Sequence, residues 1–373
     1  MPIFFLIFAA VFGLLNLYTW RRCIRRLSLP VWVRRLFAWA LAVIFITAVG
    51  YIPMRHIGWV DDRLMDLFAL SVGAGFVFFA AAVLYDLIRL LTDRTAVLHR
   101  RFTRFNLVLD LAVIFLALGY LSWGMVQGGR FAQVKEVEVQ TGRMTQPLRI
   151  AHLTDLHLGN GRRLNGEFAD RVVAEVNRLE PDLVAITGDL IDAPLEKVKP
   201  YLAQLAKLQS RYGTFFVLGN HEYFYDADET VAYLESLGIA VLKNRSIRLD
   251  GPHGRLEVVG LNDPMGDRLG KLRPSLPEAM DQVDAAAAVL VLAHQPKLAD
   301  RFVPETFDLM LSGHTHGGQI FPFGLLVRLD QPYLRGLYRH DKRARVYVSA
   351  GTGYWGPPLR MFAPSEIALI TLR

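Results

Sequence analysis

The chain has 373 residues, 52% of them hydrophobic, and a formal net charge of +7; its single cysteine, Cys23, excludes an intrachain disulfide. The charge is unevenly placed: residues 1–105 hold thirteen arginines, no lysine and five acidic residues, a balance of +8, which leaves the rest of the chain at −1. The later two-thirds therefore lack the basic excess that binding a phosphate backbone requires, and no nucleic-acid partner is expected.

Four uncharged runs, at about 1–20, 36–54, 67–85 and 111–129, each approach the roughly 20 residues that cross a hydrocarbon core. They predict an all-α, four-helix transmembrane region over residues 1–129. The first run is followed, not preceded, by its charges, and no small-residue cleavage site lies before Arg21, so it reads as a span and not as a signal peptide. The loop after it carries Arg21, Arg22, Arg25, Arg26, Arg34 and Arg35, and the third loop carries Arg89, Arg94, Arg100, Arg101 and Arg104. The middle loop has only Arg55 and Arg63, beside Asp61 and Asp62. Arginine-rich loops stay in the cytoplasm, which places everything after Gly129 on the extracytoplasmic side. Trp20, Trp39, Trp59 and Trp123 suit an interfacial aromatic belt, and Asp66, Asp86 and Asp110, at the run edges, read as interfacial residues. His56 and His99 fall in the membrane loops.

Residues 130–147 read as a connector in which Val134–Val139 alternates like an edge strand. From Leu148 onward, apolar runs alternate with helical spacing. Leu148–Thr154, Asp182–Thr187 and Thr214–Leu218 are strand-like, and Phe168–Leu179 and Val198–Leu208 are helical. Leu256–Leu261, Ala288–Ala293, Phe307–Leu311, Val346–Ser349 and Ile367–Leu372 are further strands. This alternation predicts an α/β domain over residues 148–373.

Polar residues recur just past the apolar runs, where layered α/β proteins bind their ligands. They are Asp155-Leu156-His157, Gly188-Asp189, Gly219-Asn220-His221-Glu222, His294, and Gly313-His314-Thr315-His316. Carboxylate oxygen and imidazole nitrogen together suit borderline cations such as Zn²⁺, Mn²⁺ or iron. A lone Asp-x-His is weak evidence, but five of the ten histidines fall in these strand-end loops. His152 lies inside a strand and reads as structural, whereas His253 and His340 read as surface residues.

The five motifs, in this order, resemble the calcineurin-like metallophosphoesterases, and the resemblance covers about residues 148–373. It implies a four-layer α/β/β/α sandwich with two divalent metal ions. By the same resemblance Asp155, His157, Asp189 and His316 hold one metal. Asp189, Asn220, His294 and His314 hold the other, with Asp189 bridging. His221 is then the catalytic residue beside the leaving-group oxygen, with Glu222 as its expected orienting partner. Two such cations clamp phosphoryl oxygens and activate water.

Gly317-Gly318-Gln319-Ile320 and the tail Gly351–Arg360 are similar to the bacterial membrane-associated branch of that family. The branch includes cell-envelope phosphoesterases and UDP-diacylglucosamine hydrolase-like enzymes. Cytoplasmic members of the latter group carry Arg where this chain has His221. The implied substrate is an envelope or lipid-linked phosphodiester or pyrophosphate, and the implied location is the bacterial inner membrane. Tyr354, Trp355, Leu359, Met361 and Phe362 form either an apolar lip toward lipid or a packed loop over the site. Two alternatives remain. One is a catalytically inactive scaffold of the same fold, against which the complete ligand set argues. The other is a transporter or sensor, against which the expected lack of paired charges within the spans argues.

Overall fold

The computed structural model describes residues 2–55, 60–93 and 102–373. His56, Trp59, Arg94, His99, Arg100 and Arg101 lie outside the described residues, as does the first residue of the span expected at 1–20. The chain divides into two compact units: Met1–Gly129 with Gly356–Leu359, and Arg130–Trp355 with Arg360–Arg373.

The first unit holds α1 (Pro2–Arg22), α2 (Val31–Met54), α3 (Asp62–Asp93) and α4 (Phe102–Gly128). Three stretches among the described residues are long and apolar enough to cross a membrane: Val31–Met54, Asp62–Leu91 and Leu107–Gly128. The stretch expected as a fourth span is helical in α1 but is not one of the three. Trp39, Val43, Ile46, Phe115 and Leu116 point outward from these helices, the arrangement of a bundle whose exterior meets lipid.

Two acidic residues depart from the expectation of interfacial groups. Asp86 accepts hydrogen bonds from Tyr18 Oη at 3.0 Å, Arg22 Nε at 2.8 Å and Arg26 Nη1 at 3.1 Å, joining α1 to α3. Asp110 is fully buried, accepts from Tyr85 Oη at 2.7 Å and from the Ser28 amide, and has Arg89 Nη2 at 3.7 Å. Paired charges thus exist in this unit after all. In apolar surroundings a carboxylate left alone is costly, which accounts for the number of donors each one gathers.

The second unit is built on two six-stranded sheets. The first sheet contains β1 (Gln133–Val139), β2 (Leu148–Leu153), β3 (Leu183–Thr187), β4 (Thr214–Val217), β5 (Ala240–Val241) and β12 (Glu366–Leu372), in the order β1-β12-β2-β3-β4-β5. The second contains β6 (Arg245–Gly251), β7 (Gly254–Leu261), β8 (Ala288–Ala293), β9 (Leu309–Ser312), β10 (Gly336–Arg339) and β11 (Arg345–Val348), in the order β10-β11-β9-β8-β7-β6. Part of the expected connector is therefore a strand, β1, which pairs in parallel with β12 at the sheet edge.

The period-2 pattern of each central strand serves two cores at once. Leu183 and Ala185 of β3 face Ala288, Leu290 and Leu292 of β8 in the inter-sheet core. Val184 and Ile186 face the opposite way, toward α5 (Gly166–Arg178), α6 (Leu195–Leu202) and α7 (Ala227–Ser236). Val289, Val291 and Ala293 of β8 pack outward with Ala279 of α9 (Leu276–Met280) and with Leu298 and Phe302. These three cores define the α/β/β/α layering. Asn165 caps α5 by accepting from the Phe168 amide. Pro200 lies within α6, and the helical stretch expected to run to Leu208 tightens into a 3-10 turn at Ala203–Lys207.

Candidate metal centre

Each motif sits where its strand ends. Asp155 and His157 follow β2, Asp189 follows β3, Asn220 and His221 follow β4, His294 follows β8, and His314 and His316 follow β9. Five of these residues have positive φ: Asp155 (54°), His157 (46°), Asp189 (52°), His314 (67°) and His316 (50°). Non-glycine residues rarely adopt that region, and strain of this kind concentrates at functional sites. The loops turn sharply enough to aim one side chain after another at the same point. Two glycines make room: a Cβ at Gly219 would overlap Asp189 Oδ1, and one at Gly313 would overlap Thr154 Oγ1 and Asp155 Oδ2.

Three groups with metal-ligand spacing result among the described residues: His157 with Asp192 and His221, and two clusters made wholly of proposed ligands. In the first of these two clusters, His316 Nε2 lies 3.2 Å from Asp155 Oδ1 and 3.1 Å from His157 Nε2. In the second, His294 Nε2 lies 3.2 Å from Asp189 Oδ2 and 3.3 Å from His314 Nδ1. Ligand atoms bound to one cation at about 2.0–2.2 Å are necessarily about this far apart. Asp189 Oδ2 is also 3.8 Å from His157 Nε2, so one carboxylate reaches both clusters. Asn220 is buried, and its Oδ1 has no hydrogen-bond partner. A buried carbonyl oxygen left in that state fits a metal ligand. Six of the seven proposed ligands therefore fit two cations in donor type and in spacing, and Asn220 fits in donor type.

Electrostatics point the same way. Burial, with neighbouring His221, pushes His157 down to about 3, and burial with neighbouring His294 does the same to His314, so both rings are neutral as metal ligation requires. Burial opposes the charge of Asp189, but His294, His221 and His157 around it hold it well below the ordinary carboxylate range. Burial opposes protonation of His294, yet Asp189, Asp155 and Asp263 together raise it well above the usual histidine value. Its Nδ1 hydrogen-bonds the Thr187 carbonyl at 2.7 Å, which leaves Nε2 directed at Asp189.

His221 stands beside the clusters. Its Nδ1 lies 2.9 Å from Asp192 Oδ1 and its Nε2 lies 3.9 Å from Asp189 Oδ2. Asp192, three residues beyond Asp189, was not among the sequence candidates, yet it is the residue that orients the ring. Glu222 does other work than expected. Its carboxylate accepts from the amides of Asp189 (3.0 Å), Leu190 (2.7 Å) and Gly219 (2.7 Å), clamping the β3 and β4 loops together. Burial and the nearby Asp189 charge push it up to about 7.

Arg360 was likewise given no role by the sequence. Its fully buried guanidinium donates to the carbonyls of Ala350 (2.6 Å), Ala363 (3.1 Å), His316 (3.2 Å) and Gly353, tying the His316 loop to the chain after β11. His152 is structural, its Nε2 2.8 Å from Thr187 Oγ1. His253 is buried at 8% exposure, not a surface residue, and His340 is partly buried, with its Nδ1 2.8 Å from Tyr333 Oη. Of the expected apolar lip, Tyr354, Leu359 and Met361 are buried, and only Trp355 and Phe362 are exposed.

The calcineurin-like phosphoesterase pattern matches residues 148–318. The chain is 34% identical to a metallophosphoesterase of Campylobacter jejuni, across 100% of this chain and 98% of that protein. It is also 34% identical to a metallophosphoesterase of Helicobacter pylori, across 98% and 97% respectively. A transmembrane protein with a metallophosphoesterase domain from Danio rerio is 29% identical, across 96% of this chain and 86% of that protein. The chain belongs to the calcineurin-like metallophosphoesterases and is a metal-dependent phosphoric ester hydrolase. With three helices among the described residues long and apolar enough to cross a membrane, and a relative named as transmembrane, it is a membrane protein.

Proposed function

We propose that this chain hydrolyses a phosphodiester or pyrophosphate of an envelope or lipid-linked substrate. In this reading it is anchored in a bacterial inner membrane with its α/β unit on the extracytoplasmic side. The observation that carries the chemistry is the pair of ligand clusters sharing Asp189, with the His221–Asp192 pair beside them. Asp155, His157, Asp189 and His316 would hold one cation, and Asp189, Asn220, His294 and His314 the other. Manganese, zinc and iron all suit this donor set. When bound, the two cations supply positive charge for the phosphoryl oxygens and make a water acidic enough to attack phosphorus.

The remaining steps belong to the chain. Asp192 holds the Nδ1–H of His221, so the proton available for transfer is on Nε2. His221 enters as the imidazolium, gives the Nε2 proton to the departing oxygen and ends neutral, with Nδ1–H still on Asp192. Glu222 fixes the loops on which Asp189 and Asn220 ride, keeping the ligands in place. The substrate class is supported by the apolar helices of the first unit, and the orientation by the arginine-rich first and third loops.

Substitution of His221 tests the acid role. His221→Ala should keep both metals and lose roughly 10²–10⁴-fold in rate on an alkyl phosphodiester, whose leaving oxygen needs a proton. A nitrophenyl ester, whose leaving group departs without one, should lose much less. Equal losses on both substrates, or loss of metal, would overturn the assignment.

A further inference from the structure

Beyond the metal ligands, the chain turns through Gly317–Gln319 into Phe321-Pro322-Phe323-Gly324-Leu325-Leu326-Val327-Arg328-Leu329, with one short helical turn, α10 (Gly324–Val327). Its large side chains face outward: Leu325 is 62% exposed, Leu329 84%, and Leu326, Phe321 and Phe323 are also exposed. The Met361 amide donates to the Gln319 carbonyl at 2.8 Å, which brings the tail alongside, and the Phe321 and Phe362 rings meet edge to face with centroids 6.1 Å apart. Phe362 is itself 62% exposed. Trp355, also exposed, is held to Gln319 through both its amide and its carbonyl. An exposed apolar cluster of this size marks an interaction surface.

The geometry points to a bilayer-docking surface: Phe321–Leu329, with Trp355 and Phe362, inserts its apolar side chains into the interfacial layer of the membrane that anchors the chain. Three observations select lipid as the occupant. The apolar residues are accompanied by exposed Arg328 and Arg335, the latter donating to the Phe362 carbonyl, which are suited to anionic headgroups. An exposed tryptophan lies in the same cluster, and tryptophan favours membrane interfaces. The tether is short: four residues separate the end of α4 at Gly128 from Gln133, and a fully extended chain covers only about 3.5 Å per residue. The α/β unit therefore cannot move far from the bilayer. The surface begins five residues after His316, so docking would present the metal centre to substrate lying in the membrane. This deepens the proposed function and rests on its reading of the site.

Electron paramagnetic resonance on the full chain in nanodiscs of zwitterionic and anionic lipid tests the surface without using turnover. In a Cys23→Ser background, nitroxides are placed at Leu325→Cys and Leu329→Cys, with Asp250→Cys on the exposed edge strand β6 as the aqueous reference. Labels at 325 and 329 should be relaxed by oxygen and shielded from a water-soluble nickel chelate, and the label at 250 should behave in the opposite way. Nickel access at 325 and 329 equal to that at 250 would overturn the inference. So would spin–spin broadening at 325 or 329, which would show a second copy covering the face.

A second measurement does not depend on the labelled background. Leu325→Glu with Leu329→Glu should leave hydrolysis of a soluble nitrophenyl phosphodiester unchanged and lower hydrolysis of a phosphodiester lipid in the same nanodiscs at least tenfold. Equal rates on the lipid for variant and parent would count against the surface. Inserted labels in a protein with no phosphodiesterase activity would refute the substrate reading and leave the surface standing.

Discussion

Asp192 and His294 set the protons around the centre, and each leads to a measurement. Asp192 lies 2.9 Å from His221 Nδ1 and touches no proposed reacting atom, so Asp192→Asn should loosen the ring without removing a metal ligand. Changes to such supporting groups typically cost about 10–100-fold. The expected result is a loss of that order in kcat/KM on an alkyl phosphodiester, with two metals still counted by elemental analysis. His294 is raised well above its usual value by Asp189, Asp155 and Asp263, which favours its protonated form in the metal-free protein. A ligand must give that proton up. Metal binding at pH 7 should therefore release a proton, and affinity should fall as pH drops through the raised value; a pH indicator during Mn²⁺ titration reads both. In the metal-free protein the sign for stability is the reverse. The contribution of His294 is complete below its unfolded pKa and is lost as pH rises through the folded one. At this scale the residues that the loops bring together were legible because aspartate and histidine recur just past the apolar runs. Asp192 and Arg360 were not. A carboxylate three residues past a ligand and an arginine after two prolines look like surface groups until the fold buries them.

At the scale of elements, the turns do as much as the ligands. Gly219 lies where a Cβ would overlap Asp189 Oδ1, the carboxylate that also accepts from the His221 amide at 2.8 Å. Gly219→Ala should push Asp189 off both clusters. Metal content should fall below two per chain and activity should fall with it, while the far-ultraviolet circular dichroism of the two sheets is retained. Full metal content in this variant would mean that the β4 loop relaxes without moving Asp189. The central strands were readable because they bury both faces: β3 is apolar from Leu183 to Ile186, and β8 from Ala288 to Ala293. The edge strands β6 and β10 carry mostly exposed or half-exposed side chains and gave no hydrophobic signal. The edge strand β1 was visible only through its alternation. In the helical unit, run length located the helices, but partners fixed the acidic residues. Asp110 sits near the start of a span, and only the tertiary packing of Tyr85 and Ser28 around it makes it an interior residue.

At the scale of the whole molecule, the side of the membrane on which hydrolysis takes place decides which phosphodiesters the site can meet. On the proposed orientation, which rests on the arginine-rich loops, the α/β unit lies outside. A reporter active only outside the cytoplasm, fused after Arg373, should be active, whereas activity from a reporter that works only in the cytoplasm would reverse the orientation. The pairing of β12 has a further meaning for biogenesis. β12 is inserted between β1 and β2, in parallel with one and antiparallel to the other. β1 follows α4 in the chain and emerges early in synthesis, but its neighbour in the sheet emerges only when the ribosome has translated through Leu372. During that interval β2, β3 and β4 can pair while β1 waits with an open edge. A nascent chain stalled before Glu366 would therefore carry its ligand-bearing loops on an incomplete sheet, and it would be a natural target for quality-control proteases at the membrane.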